Sequence, residues 1–405
     1  MNAQLKRLKW KKITSFKTMN NTKQILEGSR AIALTIKNIA PAVISAYPIT
    51  PQTHIVEDLA KFKAEGLVNY EYIRAESEFA AASIVLGASA GGVRTYSATS
   101  SQGLLLMTEV IYNIAGMRLP IVMTCANRAI SAPINIWCDH SDVMSIRDAG
   151  WIQLFAANHQ EAVDLHILAF KLAEKLHLPV MVNVDGFILT HSYEPVIIPT
   201  PKLIKKYLPA YRPALKTYLD PKNPITMGAF FTPLYYQETR ASLHYDLMSS
   251  LEIIKKEYRD LNKILGYKST PQNKAFFDNG LISYLGPKNP ETVIVAMGSV
   301  TGTIQAVIKN KKEIGLLKIK SYRPFPDTEI KHLLSSVKYI AVLEKAISLG
   351  SGGPLYTDLI TALKGTRKSI IKDYIVGLGG RDVTENSISA ILKDLRRQGE
   401  SLKFI

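Results

Sequence analysis

The sequence predicts an α/β protein: a doubly wound, mostly parallel sheet domain followed by a smaller C-terminal α/β domain. Three observations predict this. From Glu27 to about Glu194, short β-branched or apolar runs alternate with longer helical stretches, the pattern of βαβ units. The same punctuation resumes after residue 285. Between the two lies a different text, in which Pro195, Pro199, Pro201, Pro209, Pro213, Pro221, Pro224 and Pro233 crowd among tyrosines and lysines. That crowding suits an irregular excursion rather than a helix or a central strand.

In chain order, strands are expected at Val43–Tyr47, Val93–Ala98, Leu119–Cys125 and Leu178–Asp185, and helices at Pro51–Phe62, Glu76–Ala90, Leu104–Ala115 and Gln160–Lys175. In the first helix, Ile55, Leu59 and Phe62 share one face. Thr50 stands where an N-cap belongs, with Pro51 at N1, where its fixed φ suits the first turn. Residues 79–90 are apolar or small almost all round, as in a buried helix. A long polar helical stretch covers Ala241–Leu265. Thr292–Met297, Gly315–Ser321 and Tyr339–Leu343 then read as strands, and Val300–Lys309 and Gly353–Leu363 as helices. The expected divisions are a disordered basic arm (1–26), a first domain (27–240), a helical connector (241–284) and the C-terminal domain (285–405).

Composition removes several function classes. The 405 residues are 47% hydrophobic and 21% charged, ordinary for a folded globular chain. No apolar run of about 18 residues occurs, so no membrane-spanning helix is expected. Two cysteines, Cys125 and Cys138, are too few for a disulfide framework, a four-thiolate zinc site or an iron–sulfur cluster held by this chain alone. The net charge of +16 raises nucleic acid or acidic partners. Seven of those charges lie in the first 26 residues (Lys6, Arg7, Lys9, Lys11, Lys12, Lys17, Lys23) with no acid. That arm is either disordered or upstream sequence ahead of a true start at Met19, and only +9 is spread over the remainder. A scaffold or nucleic-acid binder using the arm is the alternative to an enzyme.

No phosphate loop and no Gly-Lys pair is present, Gly377-Leu-Gly379-Gly380 lacks dinucleotide spacing, and the eight histidines show no HExxH or paired metal spacing, so no metal site is expected. Asp139-His140-Ser-Asp142 reads as a polar turn. Gly87-Ala-Ser89-Ala-Gly91 matches GxSxG, but it closes a helix and leads into a strand, the reverse of a nucleophile elbow. Four strand-to-helix junctions carry chemistry instead. Tyr47-Pro48-Ile49-Thr50-Pro51 places a hydroxyl at a helix head, where a carboxylate or phosphate is received, or is an ordinary βα turn. Arg74-Ala75-Glu76-Ser77-Glu78 puts acids at the head of an apolar helix, where desolvation can raise a carboxyl pKa, though periodicity does not choose between Glu76 and Glu78. Asn127-Arg128 ends an apolar strand, and the guanidinium either clamps a substrate carboxylate or forms a structural ion pair. Thr95–Gly103, with Thr99 and Ser100, is a junction of the same kind.

In order and spacing, AYPITPQT, RAESEFAA, SATSSQGLLLM, CANRAISAP, CDHSDVM, VNVDGFILTHS, VIVAMGS, KIKSYRPFP and GLGGRDV resemble the alpha subunit of the 2-oxoacid:ferredoxin oxidoreductases, closest to the pyruvate type. The resemblance runs from about Leu26 to Val383. It implies a thiamine-diphosphate, pyrimidine-type binding domain and a C-terminal domain like that of transketolase. The implied reaction decarboxylates pyruvate oxidatively, transfers the acetyl group to coenzyme A and passes electrons to ferredoxin; 2-oxoisovalerate is the alternative substrate. It further implies a beta subunit that holds most of the cofactor with Mg2+, gamma and delta subunits, [4Fe-4S] clusters on those partners, and a cytoplasmic complex in which this chain is inactive alone. Carried over by motif, Glu78 is the catalytic carboxylate that holds a proton at the pyrimidine N1′. Thr50 and Arg128 bind substrate, and Pro48, Ile49, Thr99, Ser100 and Asn127 lie against the cofactor. One departure is Gly28-Ser29, where the family has Gly-Asn, which questions a local turn contact.

Overall fold

The computed structural model describes residues 22–266, 275–366 and 369–405. Residues 1–21, most of the expected basic arm, lie outside the described residues. The rest of that arm is ordered: strand β1 (Gln24–Glu27) runs directly into helix α1 (Gly28–Ile39). The first domain continues with β2 (Val43–Ala46), α2 (Thr53–Ala64), β3 (Glu71–Arg74), α3 (Glu78–Ala90), β4 (Thr95–Thr99), α4 (Ser101–Leu106), α5 (Thr108–Gly116), β5 (Val122–Asn127), α6 (Ser141–Ser145), β6 (Ile152–Phe155), α7 (His159–Leu176), β7 (Val180–Asp185), β8 (Tyr193–Val196) and α8 (Pro201–Tyr207). A 33-residue helix α9 (Pro233–Leu265) follows. The second domain holds β9 (Ala275–Asp278), β10 (Ile282–Leu285), β11 (Thr292–Ala296), α10 (Val300–Ile308), β12 (Ile314–Ile319), β13 (Ser321–Arg323), α11 (Asp327–Leu334), β14 (Tyr339–Glu344), α12 (Pro354–Ala362), β15 (Ile370–Ile375), α13 (Glu385–Asp394) and β16 (Leu402–Phe404).

Two seven-stranded sheets result, ordered β13-β6-β7-β5-β4-β2-β3 and β16-β15-β14-β11-β12-β10-β9. The first is parallel apart from β13, so its strands need helical crossovers and cover on both faces. The structure shows that cover: β4, β5, β6 and β7 are buried at every position, the hydroxyl-rich β4 included. The second sheet is parallel at its centre, with β9 and β10 antiparallel at one edge.

Several expectations change. The first helix begins at Thr53, not Pro51: the Thr50–Pro51 peptide is cis and Gln52 precedes the helix without a side-chain cap, so Thr50 is not an N-cap. The stretch expected at Leu104–Ala115 is two helices that break at Met107. The proline-rich excursion holds β8, which pairs with β1, and α8, whose Pro201 sits in the first turn behind the Thr200 cap; a proline in each place removes no donor that a ladder needs. The connector ends earlier than residue 284, because β9 and β10 belong to the second sheet. Strand β13 leaves β12 after one residue and joins the edge of the first sheet, where Phe155 N donates to Lys320 O at 2.7 Å. The domains are therefore sewn together by the backbone. Helix α3, apolar all round in the sequence, is only half covered: Ala81, Ala82 and Val85 are buried but Phe79 is exposed.

Candidate functional site

The eight candidate residues occupy one edge of the first sheet. Pro48, Ile49 and Thr50 follow β2, Glu78 opens the helix after β3, Thr99 and Ser100 close β4, and Asn127 and Arg128 close β5. These four strands are neighbours, and the C-terminal edge of an open parallel sheet is where such folds collect ligands.

The two glutamates have different surroundings. Ser77 caps α3, its hydroxyl accepting from Ala80 N at 3.1 Å, which leaves Glu76 exposed outside the helix and Glu78 at its first position. Glu78 is 8% exposed, and its carboxyl has no hydrogen-bond partner among the described residues. Gly103 in α4 faces it. A Cβ at Gly103 would stand 2.7 Å from Glu78 Oε1 and 2.6 Å from Thr99 Oγ1, so glycine keeps a cradle open between the two side chains. Thr99 Oγ1, Ser100 Oγ and Asn127 Oδ1 are buried without a partner among the described residues. Buried polar atoms are normally bonded, and orphans on the same sheet edge as an unpartnered carboxyl, with Thr99 Oγ1 across the cradle from it, mark a place for a polar ligand.

Arg128 and Thr50 are brought together: Arg128 Nη1 donates to Thr50 O at 2.9 Å, and its Nε to Asn135 O at 3.1 Å. Nη2 has no partner among the described residues. Burial lowers the guanidinium pKa, opposed by Asp142. The Pro48–Thr50 loop is shaped by Gln52, which is fully buried and whose Nε2 donates to Ala98 O at 2.6 Å and Tyr47 O at 3.2 Å.

Asp142, read as part of a polar turn, is the hub of this edge. Its Oδ2 accepts from Ser101 N and Arg128 N, both at 3.0 Å, and its Oδ1 from Asn127 Nδ2 at 3.1 Å and Val143 N at 2.7 Å. Burial pushes its carboxyl up to about 6, against the pull of those donors. One side chain thus fixes the ends of β4 and β5, including Ser101, which holds a left-handed φ of 46°. The nearby Cys125 thiol is raised well above its ordinary value, by burial and then by Asp142.

A second buried cluster bolts the domains together. Asp185 Oδ2 accepts from Lys345 Nζ at 2.7 Å and Ser299 N at 3.0 Å, while its Oδ1 meets His140 Nε2 at 2.7 Å. Burial opposes its charge, but Lys345 and His140 outweigh it and hold the carboxyl well below its usual range. Cys138, His140 and Asp185 have the spacing of metal ligands, yet the Lys345 ammonium takes the cation's place among them. Ser29 settles the doubt about its turn: its N and Oγ both bond Thr190 O, at 3.0 and 2.8 Å.

Residues 35–260 match the family model described as pyruvate flavodoxin/ferredoxin oxidoreductase, thiamine diphosphate-binding, and residues 290–388 match pyruvate:ferredoxin oxidoreductase core domain II. The chain belongs to the pyruvate:ferredoxin oxidoreductase family. It is 46% identical over 92% of its length to pyruvate synthase subunit PorA of Methanocaldococcus jannaschii, covering 95% of that protein. To PorA of Methanosarcina barkeri it is 42% identical, covering 93% of each chain. To ketoisovalerate oxidoreductase subunit VorA of Pyrococcus horikoshii it is 39% identical, covering 95% of this chain and 96% of that one. In fold it is similar, with a TM-score of 0.68 and 18% identity, to a chain of 2-oxoglutarate:ferredoxin oxidoreductase from Magnetococcus marinus, covering 92% of this chain and 65% of that one.

Within this oxidoreductase family the thiamine-binding model covers the sheet edge described above. The orphaned hydroxyls, the glycine cradle and the partnerless Glu78 fit a heterocycle that needs one carboxylate and several short polar contacts. Sequence reasoning missed Gln52, Gly103 and Asp142. Each lies inside a quoted motif, but none has a neighbour in sequence that reveals what it touches.

Proposed function

We propose that this chain is the alpha subunit of a multi-subunit enzyme that converts pyruvate, coenzyme A and two oxidised ferredoxins to acetyl-CoA, CO2, a proton and two reduced ferredoxins, in either direction. The observation that carries the reading is the buried Glu78 carboxyl, unpartnered at a helix head and facing an open cradle. Thiamine diphosphate, when bound, supplies the electron sink for cleaving the bond between the carboxylate and keto carbons. Glu78 holds a proton at the pyrimidine N1′, a task that suits a carboxyl shielded from water. Thr99, Ser100 and Asn127 bond the ring system, and Gly103 leaves room for it. Arg128 receives the substrate carboxylate through Nη2, while Thr50 and the Pro48–Ile49 loop close the site over the small acid.

The rest of the machinery is assigned to partners. Both cysteines are buried, so electrons leave through [4Fe-4S] clusters on other subunits. The cofactor's diphosphate and Mg2+ belong to the beta subunit, with gamma and delta subunits and ferredoxin completing the route in the cytoplasm. The open face of α3 around Phe79, with Leu106 52% and Tyr112 39% exposed nearby, supports a partner packed against this edge. A 2-oxoisovalerate specificity is the second reading, favoured by the likeness to the ketoisovalerate subunit. Assaying the purified complex against a panel of 2-oxoacids with coenzyme A and ferredoxin decides: a preference for pyruvate supports the first reading, and a preference for branched-chain acids replaces it with the second.

A further inference from the structure

The sequence spacing of the histidines gave no metal site, but the fold brings two of them together with a glutamate from a third element. Glu27 ends β1, His54 lies in the first turn of α2, and His191 lies in the turn after β7. Their ligand atoms all lie within 4.8 Å of one another. Glu27 Oε1 stands 2.6 Å from His54 Nδ1, and the His54 and His191 rings stack with centroids 4.5 Å apart. From this juxtaposition we infer that Glu27, His54 and His191 form a binding site for a divalent transition-metal ion of the zinc type. Two imidazoles and one carboxylate, with no thiolate, are the donor set such ions take, and three protein ligands leave a position for water.

The surroundings are built for this. His191 Nδ1 lies 2.7 Å from Thr190 Oγ1, a buried hydroxyl that also accepts from Phe187 N at 2.8 Å. That contact engages Nδ1 and leaves Nε2 as the ring nitrogen for an ion, the arrangement that supports a metal-ligating histidine. The turn itself is clamped to α1: Gly28 N donates to Ser192 O at 3.2 Å, and a Cβ on Gly28 would sit 1.7 Å from Leu189 O. Only glycine lets Glu27 come this close to the histidine turn. On the other side, Gly186 packs against the Pro51 ring and Asn127 O, each under 3 Å from where its Cβ would be. An ion here would therefore clip three segments directly behind the substrate loop.

The test is zinc titration of the full chain after chelator treatment, read by competition with a chromophoric chelator. One equivalent should bind with a dissociation constant in the micromolar range. His54→Gln and His191→Gln should each weaken binding at least tenfold, and the double variant should abolish it, while melting in chelator stays that of the wild type. X-ray absorption of the zinc-loaded wild type needs no substitution and should report two imidazole nitrogens among oxygen ligands. Absence of stoichiometric binding, binding unchanged in the double variant, or a spectrum without imidazole would overturn the site.

Discussion

Glu161 opens α7 of the first domain and pairs with Lys318 and Lys320 of the second, the latter at 3.6 Å, while its Oε2 accepts from Ala157 N at 3.0 Å. Burial alone would raise its carboxyl, but the two ammonium groups and these hydrogen bonds outweigh burial and bring it down to about 2 from an ordinary 4.5. A depressed acid stabilises the fold above its unfolded pKa and loses that contribution as pH falls toward the folded value. Two and a half pKa units correspond to roughly 3 kcal/mol at pH 7. The contribution should begin to fall below about pH 4.5, reach roughly half near pH 3, and be gone below pH 2. Glu161→Gln, which leaves two lysines without their shared acid, should therefore cost about 3 kcal/mol at pH 7. Urea unfolding of both proteins at a series of pH values measures the gap. A gap that stays constant from pH 7 to pH 3, or one below about 1 kcal/mol at pH 7, would refute the electrostatic account of how the domains are joined.

Three further substitutions probe the sheet edge. Gly103→Ala fills the cradle and should lower thiamine diphosphate affinity at least tenfold in the assembled complex, while the ~1 kcal/mol of helix propensity that alanine adds is offset by its Cβ crowding Thr99 and Glu78, so thermal melting should show no gain; cofactor titration and thermal melting separate the two effects. Asp142→Asn turns an amide NH2 toward one of two pairs of donors, and at about 1–3 kcal/mol per unsatisfied buried donor it should destabilise the first domain by about 2–6 kcal/mol in urea unfolding. Arg128→Ala removes a charge-assisted contact of about 1.5–3 kcal/mol, so the pyruvate KM should rise roughly 10- to 150-fold in steady-state assays, with Arg128→Lys recovering part of the loss.

The strands and helices that carry the site were legible because most are local signals: β5 and β7 open on apolar, β-branched text, and Glu78 begins an apolar helix behind a serine cap. The eight candidate residues share an edge because parallel strands must all end on the same side. What the sequence concealed depends on distant partners. Strand β3 is mostly exposed and β13 is three residues long, so neither carries a core pattern, and β13 exists only because the edge of β6 is there to pair with. Thr50 failed as a cap because the chain turns at Pro51 and starts its helix two residues later. Asp142 looked like any turn acid until its backbone and amide donors arrived from three segments. The second face of α3 was read as core because an apolar face awaiting a partner and one already covered have the same spacing.

The central claim is that the Glu78 carboxyl performs the proton work on bound thiamine diphosphate. Its most direct test is the turnover of pyruvate and coenzyme A by the reconstituted complex carrying Glu78→Gln, measured beside subunit assembly and cofactor uptake. Removal of a positioned acid–base group costs on the order of 10²–10⁴ in rate, so the variant should assemble, take up the cofactor and lose at least a hundredfold in turnover. A fully assembled, cofactor-loaded complex turning over at the wild-type rate would contradict the account.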